Sequence, residues 1–300
     1  MALPARLDYH GALGIMSLGP VVTADKSLIA DKPDRRQGGA APLQGTPMIS
    51  HRKLETVLNH LLEPHAIKDY CPNGLQVEGR ERIRRVVTGV TASQALIDAA
   101  VALDADAILV HHGYFWSGEP PQITGMKQRR LKTLLTHDIN LFAYHLPLDV
   151  HPEVGNNAQL ARLFGIKVRR GLEPWNSKSV AMVGKLEEPM SGADFAKLIA
   201  ERLGREPLHC GDSGPELISS VAWCTGGGQS YINQAAEQGI DAFISGEASE
   251  QTIHTAREMG MHFYAAGHHA TERYGVKALG EWLATVHGLD VTFIDIDNPV

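Results

Sequence analysis

The chain is short of cysteine, has no excess of basic residues and lacks any long uncharged apolar run, and each shortage removes a class of protein. Cys71, Cys210 and Cys224 are its three cysteines. They are too few and too scattered for a disulfide framework or a Cys-rich zinc knuckle, and they suit a reducing cytosol. The formal net charge of -6 provides no basic footprint for duplex nucleic acid or an anionic membrane, although local fields still admit a small anionic substrate. The leader MALPARLDYHGALGIMSLGPVV holds only a short apolar stretch, broken by Gly and Pro, with no clear cleavage site after it. Asp8, Asp25, Asp31 and Asp34 also make it unlike a transit peptide. The expectation is a cytoplasmic protein.

What the chain does have is a hydrophobic share of 43% over 300 residues, enough core for one large domain or two modest ones. From Asp31 to Pro47 the sequence DKPDRRQGGAAPLQGTP is charged, then rich in Gly, Pro and Gln, and it has no apolar periodicity. Residues 1–47 are therefore expected to be a disordered extension, or the product of an upstream start codon, with the folded protein opening near Met48.

Past Met48 the pattern is βα alternation, which predicts an α/β fold. The first region reads as helix 53–62, strand 85–90, helix 93–103, strand 107–110, helix 127–136, strand 139–144 and a helix at 158–164 closed by Gly165. A second unit reads as strand 180–184, helix 193–203, strand 219–223 and helix 230–238. The last part reads as strand 242–245, helix 250–259, strand 263–266, helix 272–286 and strand 291–296.

Three segments carry metal-type donors at predicted strand ends. In AILVHHGYFW, His111 and His112 follow a buried strand, where ligand-bearing loops gather. Neighbouring strand residues face opposite ways, so a shared site requires the chain to leave strand geometry, which Gly113 permits; otherwise one ring faces the core and the other faces solvent. In FAYHLPLDVHPEVGNN, His145 and Asp149 follow the next strand, and Pro147 and Pro152 predict a loop. Asp149 is there a ligand, a turn former or a helix cap. In the third segment the apolar stripe Val276, Leu279, Leu283 and Val286 extends back to Glu272 and His268. A buried carboxylate needs a cation, and a metal on His268 one turn earlier would supply it; the alternative is an exposed Glu272 stabilised by the helix dipole.

Together His111, His112, Asp149, His268 and Glu272 form an imidazole and carboxylate set without thiolate, suited to zinc, manganese or iron. The set is too rich for one tetrahedral zinc that keeps an open position. Two divalent ions fit better, bridged by Glu272 and roughly 3.5 to 4 Å apart, with a shared water made hydroxide-like. Between a strand and a helix lies WCTGGGQS, where Gly226, Gly227 and Gly228 form either an anion cradle or a tight turn. Glu247, Glu250 and His254 are supporting pocket candidates.

The segments DYCPNGLQVEG, TGVTASQALIDAA, LVHHGYFW, HLPLDVHPEVGNN, WCTGGGQSYI, ISGEASEQTIH and AGHHATERYGVKALGEWL resemble the dinuclear-metal family of GTP cyclohydrolase 1 type 2 homologues, the Nif-three-like group. The resemblance runs from about Met48 to the C-terminus. It implies two entwined α/β lobes: residues 48–172 as the first, 173–240 as the second, and 241–300 returning to the first. It further implies a toroidal homohexamer and two metals in an inward-facing cleft, held by His111, His112, Asp149, His268 and Glu272. The family's longer members carry an inserted domain that this chain is too short to hold.

The cyclohydrolase label implies a nucleotide substrate, for which Arg129, Arg130, Lys132, Arg169, Arg170 and Arg273 are available cations, although a charge run also serves as a solvated face. The leading expectation is a metal-dependent hydrolase in which His145 or a nearby carboxylate, Glu272 among them, moves protons. The alternative is a non-catalytic metal-binding or regulatory ring. A nucleic-acid clamp, suggested by ring shape alone, is opposed by the acidic balance.

Overall fold

Ser50 starts the first helix by accepting the N–H of Lys53 on its hydroxyl at 3.2 Å, as an N-cap does. In this computed structural model, which describes residues 22–23 and 47–300, that helix is α1, His51–Leu62, and it buries Leu54, Leu58 and Leu62 at helical spacing. The extension expected over 1–47 lies outside the described residues except for Val22, Thr23 and Pro47.

The first part of the chain supplies strands β1 (Val22–Thr23), β2 (Ile49–Ser50), β3 (Gly74–Val77), β4 (Arg82–Ile83), β5 (Arg85–Thr91), β6 (Ala107–His112) and β7 (Asn140–Ala143). Its helices after α1 are α2 (Gln94–Ala102), α3 (Gly125–Thr136), α4 (Leu146–Asp149) and α5 (Asn156–Phe164). Next come β8 (Ile166–Gly171), β9 (Met182–Met190), α6 (Gly192–Leu203), β10 (Leu208–Cys210), β11 (Ile218–Cys224), α7 (Ile232–Glu237), β12 (Ala242–Ser245), α8 (Glu250–Met259) and β13 (His262–Ala265). The chain closes with α9 (His268–His287) and β14 (Asp290–Asp295).

Two six-stranded sheets result. One has the order β1-β14-β5-β6-β7-β3, parallel except at β3; the other has the order β10-β13-β12-β11-β9-β8, with β11, β12 and β13 parallel. The lobes are entwined because α9 and β14 leave the second sheet and insert β14 between β1 and β5 of the first. Alternation along β5 and β6 fills both faces of the first sheet. Val86, Val90 and Leu109 meet Leu58, Leu279 and Leu283 on one side, while Val87, Ile108 and Val110 meet Leu96, Ile97 and Leu134 on the other.

The structure departs from the sequence reading in several places. Residues 146–149 form the single helical turn α4, not a loop, because Pro147 sits in the first turn where its missing N–H breaks no bond. α9 begins at His268, one turn before the expected start at Glu272. The expected helix 230–238 divides into a 3-10 turn at Gln229–Tyr231 followed by α7. Strands β12 and β13 pair within the second sheet, so the return to the first lobe is made by α9 and β14 rather than from residue 241. Among the strands that the sequence did not announce, β3, β8 and β10 are edges of the two large sheets. In β8 residues 167–170 are exposed, which suppresses the apolar alternation that announces a strand and discourages edge-to-edge pairing. Among the described residues no helix is long and apolar enough to cross a membrane.

Candidate metal centre

His111 and His112 end β6, and their rings lie 4.6 Å apart between centroids, so both serve one site. Contrary to the expectation, the chain does not leave strand geometry to bring them together, since His112 still pairs with Thr91; Gly113 follows, where the chain passes so close to its neighbours that a Cβ would lie 2.6 Å from that of Ala143 and would collide with the Gln76 amide. Gln76 then fixes the turn, accepting the Tyr114 N–H at 2.7 Å and donating to the Tyr114 carbonyl at 3.1 Å.

Asp149 ends α4, and His268 and Glu272 occupy the first two turns of α9. All three converge with the His pair. Glu272 is 3% exposed; its Oε2 is 3.1 Å from both His112 Nε2 and His268 Nε2, and its Oε1 is 3.5 Å from His111 Nε2. His111 Nε2 is also 3.5 Å from Asp149 Oδ1. The donors fall into two overlapping groups, His111–Asp149–Glu272 and His112–His268–Glu272, which share only the glutamate.

Hydrogen bonding shows what each ring offers. His111 Nδ1 is 3.0 Å from the Tyr144 carbonyl, which can only accept, so the Nδ1–H is committed there and Nε2 faces two carboxylates. His268 Nδ1 likewise meets Glu247 Oε1 at 2.6 Å, and His112 Nδ1 meets Thr91 Oγ1 at 3.0 Å. Three imidazoles thus turn Nδ1 outward to an oxygen and aim Nε2 inward, as metal-binding histidines do. Among the described residues His111 Nε2 and Glu272 Oε2 are buried without a hydrogen-bond partner. Acceptor atoms facing one another in a buried pocket require a shared proton or a cation, so the residues fit divalent ions. Asp149 is held in place by Asn156 Nδ2 at 2.8 Å and Thr225 Oγ1 at 3.2 Å.

Without an ion, protons carry this burden. Burial pushes His111 down, but the carboxylates of Asp149 and Glu272 overcome it and raise the ring to about 9. For His268 burial is again outweighed, by Glu272 and Glu247, and the ring reaches about 9. Burial dominates at His112 and holds it below the usual range. Glu272 is pushed up by burial, yet His111 and His112 draw it well below the usual carboxylate range.

The centre lies at one side of a cleft of about 890 Å³, lined by His112, His145, Asp149, His268 and Glu272, with aromatic walls at Tyr70, Trp116 and Tyr231. His145 approaches His111, with centroids 5.1 Å apart, and its Nδ1 is 2.7 Å from Asp69 Oδ1. Asp69 is fixed by the N–H groups of Tyr70 and Leu146 and by the Asn73 amide. Burial raises the Asp69 carboxyl, but His145 draws it below its ordinary value. Burial and the neighbouring Asp69 push the Cys71 thiol up to about 12, so it stays protonated.

The glycine segment combines a turn with a wall. Gly226, at φ +59, spends its N–H on Thr271 Oγ1 and packs so tightly that a Cβ would collide with Glu272; Gly227 and Gly228 line the cleft. Of the supporting candidates only Glu247 reaches the centre, through His268. Glu250 and His254 lie exposed on α8. The six basic residues proposed for phosphate do not line the cleft: Arg170 binds Gln238 and Arg273 binds Asp295, while the cleft's own cations are Lys68 and Lys178. Asp69, Gln76, Thr91, Asn156 and Thr225 all lie inside the family-like segments, but no local pattern marks them: Asp69, Thr91 and Thr225 touch His145, His112 and Asp149 from distant positions, Asn156 touches Asp149 from seven residues on, and Gln76 acts through Tyr114.

The model of the Duf34/NIF3 (NGG1p interacting factor 3) family matches residues 49–299. The chain belongs to the Duf34/NIF3 family. It is 62% identical over 251 residues to the Escherichia coli K12 protein called "GTP cyclohydrolase 1 type 2 homolog", covering 84% of this chain and 100% of that one. Among solved structures it is similar to protein ybgI, described as of unknown function, at 62% identity with a TM-score of 0.82, covering 84% of this chain and 100% of that one. It is also similar to TTHA1606 from Thermus thermophilus, at 33% identity with a TM-score of 0.76 and coverage of 84% and 100%. The Duf34/NIF3 match begins at residue 49, beside the N-cap of α1.

Proposed function

We propose that this Duf34/NIF3 protein is a dinuclear-metal-dependent hydrolase acting on a nucleotide or a related cyclic or phosphorylated small molecule. The observation that carries the reading is the buried Glu272 carboxylate, shared by two donor groups and open to the cleft. His111, Asp149 and Glu272 would hold one ion; His112, His268 and Glu272 would hold the other. Zinc, manganese and iron suit the nitrogen and oxygen donors. When bound, such ions supply Lewis acidity toward an electrophilic carbon or phosphorus and lower the pKa of water.

The chain's own residues do the rest. His145 groups with His111 and His112, and separately with Asp69 and Cys71, but not with the shared glutamate. With Nδ1 bound to Asp69, its Nε2 is left to take or give a proton in the cleft. Tyr70, Trp116 and Tyr231 offer ring faces and edges to a planar group, and Lys68 offers charge to an anion, while Lys178 is paired with Glu63 at 2.8 Å. The name borne by the relatives, GTP cyclohydrolase 1 type 2 homologue, points the same way. A homohexamer in the cytoplasm belongs to this proposal.

The test is an anaerobic screen of nucleotides and phosphoesters with protein loaded with zinc, manganese or iron. The expected result is metal-dependent turnover that drops by about 100-fold or more in His145→Ala while ion content holds. Two bound ions with no turnover across the panel would overturn the hydrolase reading in favour of a non-catalytic metal-binding or regulatory ring.

A further inference from the structure

α9 carries two of the five candidate donors within its first turn and a half, yet its N-cap, Gly267 at φ +99, has no side chain to satisfy the helix's free N–H groups. Residues 298–300 substitute for that cap. The His269 N–H donates to the Val300 carbonyl at 2.9 Å, and the Val300 N–H donates to Asn298 Oδ1 at 3.0 Å. Arg205, at the end of α6, donates to the Pro299 carbonyl, and its guanidinium packs against Gly267, where a Cβ would lie 2.8 Å from Nη1. From β14, Asp295 holds the first two turns of α9 through His269 Nε2 at 2.7 Å and Arg273 Nη1 at 3.3 Å. The segment that caps the helix also forms part of the cleft: Asn298 and Val300 line it beside His268 and Glu272.

We propose that residues 298–300, fastened by Arg205, form a latch that positions the first turn of α9 and slows the exit of ions from the centre through the cleft. The physical basis is that a ligand's grip depends on how firmly its supporting shell is fixed. With the latch closed, the His269 N–H is satisfied and His268 and Glu272 stay in register with His112. With it open, the first turn is free to fray, as uncapped helix ends do, and one wall of the cleft is removed. Arg205 touches none of the candidate donors, so it is a positioning residue that acts through Pro299 and Gly267.

The inference rests on the two-metal reading of the site but not on hydrolysis. Its test uses the full chain, Arg205→Ala, Arg205→Lys and a chain lacking residues 298–300, each loaded with Zn²⁺ and mixed with excess chelator while ion release is followed. Release is expected to be about fivefold faster in Arg205→Ala and in the shortened chain, the size of one lost helix cap. Arg205→Lys, which keeps a cationic donor, is expected to bring the rate back toward that of the full chain. Equal release rates in the full chain and in Arg205→Ala would overturn the latch alone. A full chain that binds no Zn²⁺ would overturn the two-metal reading and the latch with it.

Discussion

Glu272 is the residue on which the site turns, because it is the one donor common to both groups and is buried against three imidazole nitrogens. Replacing it with Gln removes the charge that both ions would share. Glu272→Gln is expected to lose bound metal, read as ions per chain, while its circular dichroism stays that of the folded chain. A weaker effect belongs to Glu247, which fixes the tautomer of His268: Glu247→Gln is expected to lower metal affinity by about 10–100-fold in a chelator competition. Gly226→Ala would place a methyl group against Glu272 at a left-handed φ, and is expected to cost about 1–3 kcal/mol in a denaturant titration as well as ion content. At this scale the sequence was informative about donors and silent about their orientation. Two His at a strand end and a Glu on a buried stripe are visible as patterns. Thr225 approaching Asp149 across 76 positions is not, because it depends on how the second sheet sits against α4.

α9 shows how one element joins the lobes and the site. Its stripe of Val276, Leu279 and Leu283 packs against β5 and β6 of the first sheet, while its first turns reach the loop after β11 in the second. Leu279→Ala is therefore expected to lower unfolding stability by about 2–5 kcal/mol in a denaturant titration and to weaken metal binding with it. Long periodic helices and the buried strands β5, β6 and β12 were legible because their apolar residues recur at the spacing their geometry requires. Edge strands were not. β3, β8 and β10 have one free side, and β8 presents Lys167, Arg169 and Arg170 there, so polarity conceals the strand. α4 was concealed differently: prolines that forbid a helix interior are tolerated in a first turn.

For the whole molecule, the site links metal, protons and stability. In the metal-free chain His111 and His268 are raised from the ordinary 6.5 to about 9. A raised value means that the protonated rings stabilise the fold fully below about pH 6.5, and that this contribution is lost as pH climbs through 9. Metal-free protein is therefore expected to melt at progressively lower temperature from pH 7 to pH 9. Added Zn²⁺, which displaces those protons, is expected to bind more tightly over the same range and to cancel the loss. A melting temperature that rises with pH in the metal-free chain would contradict this linkage. The central proposal is more direct than any of these: four donors around one shared, buried carboxylate would hold two divalent ions. The measurement that tests it is metal content per chain, by elemental analysis of protein purified without chelator and again after reloading with zinc, manganese or iron. Two ions per chain are expected, and a chain that holds none after reloading would contradict the claim.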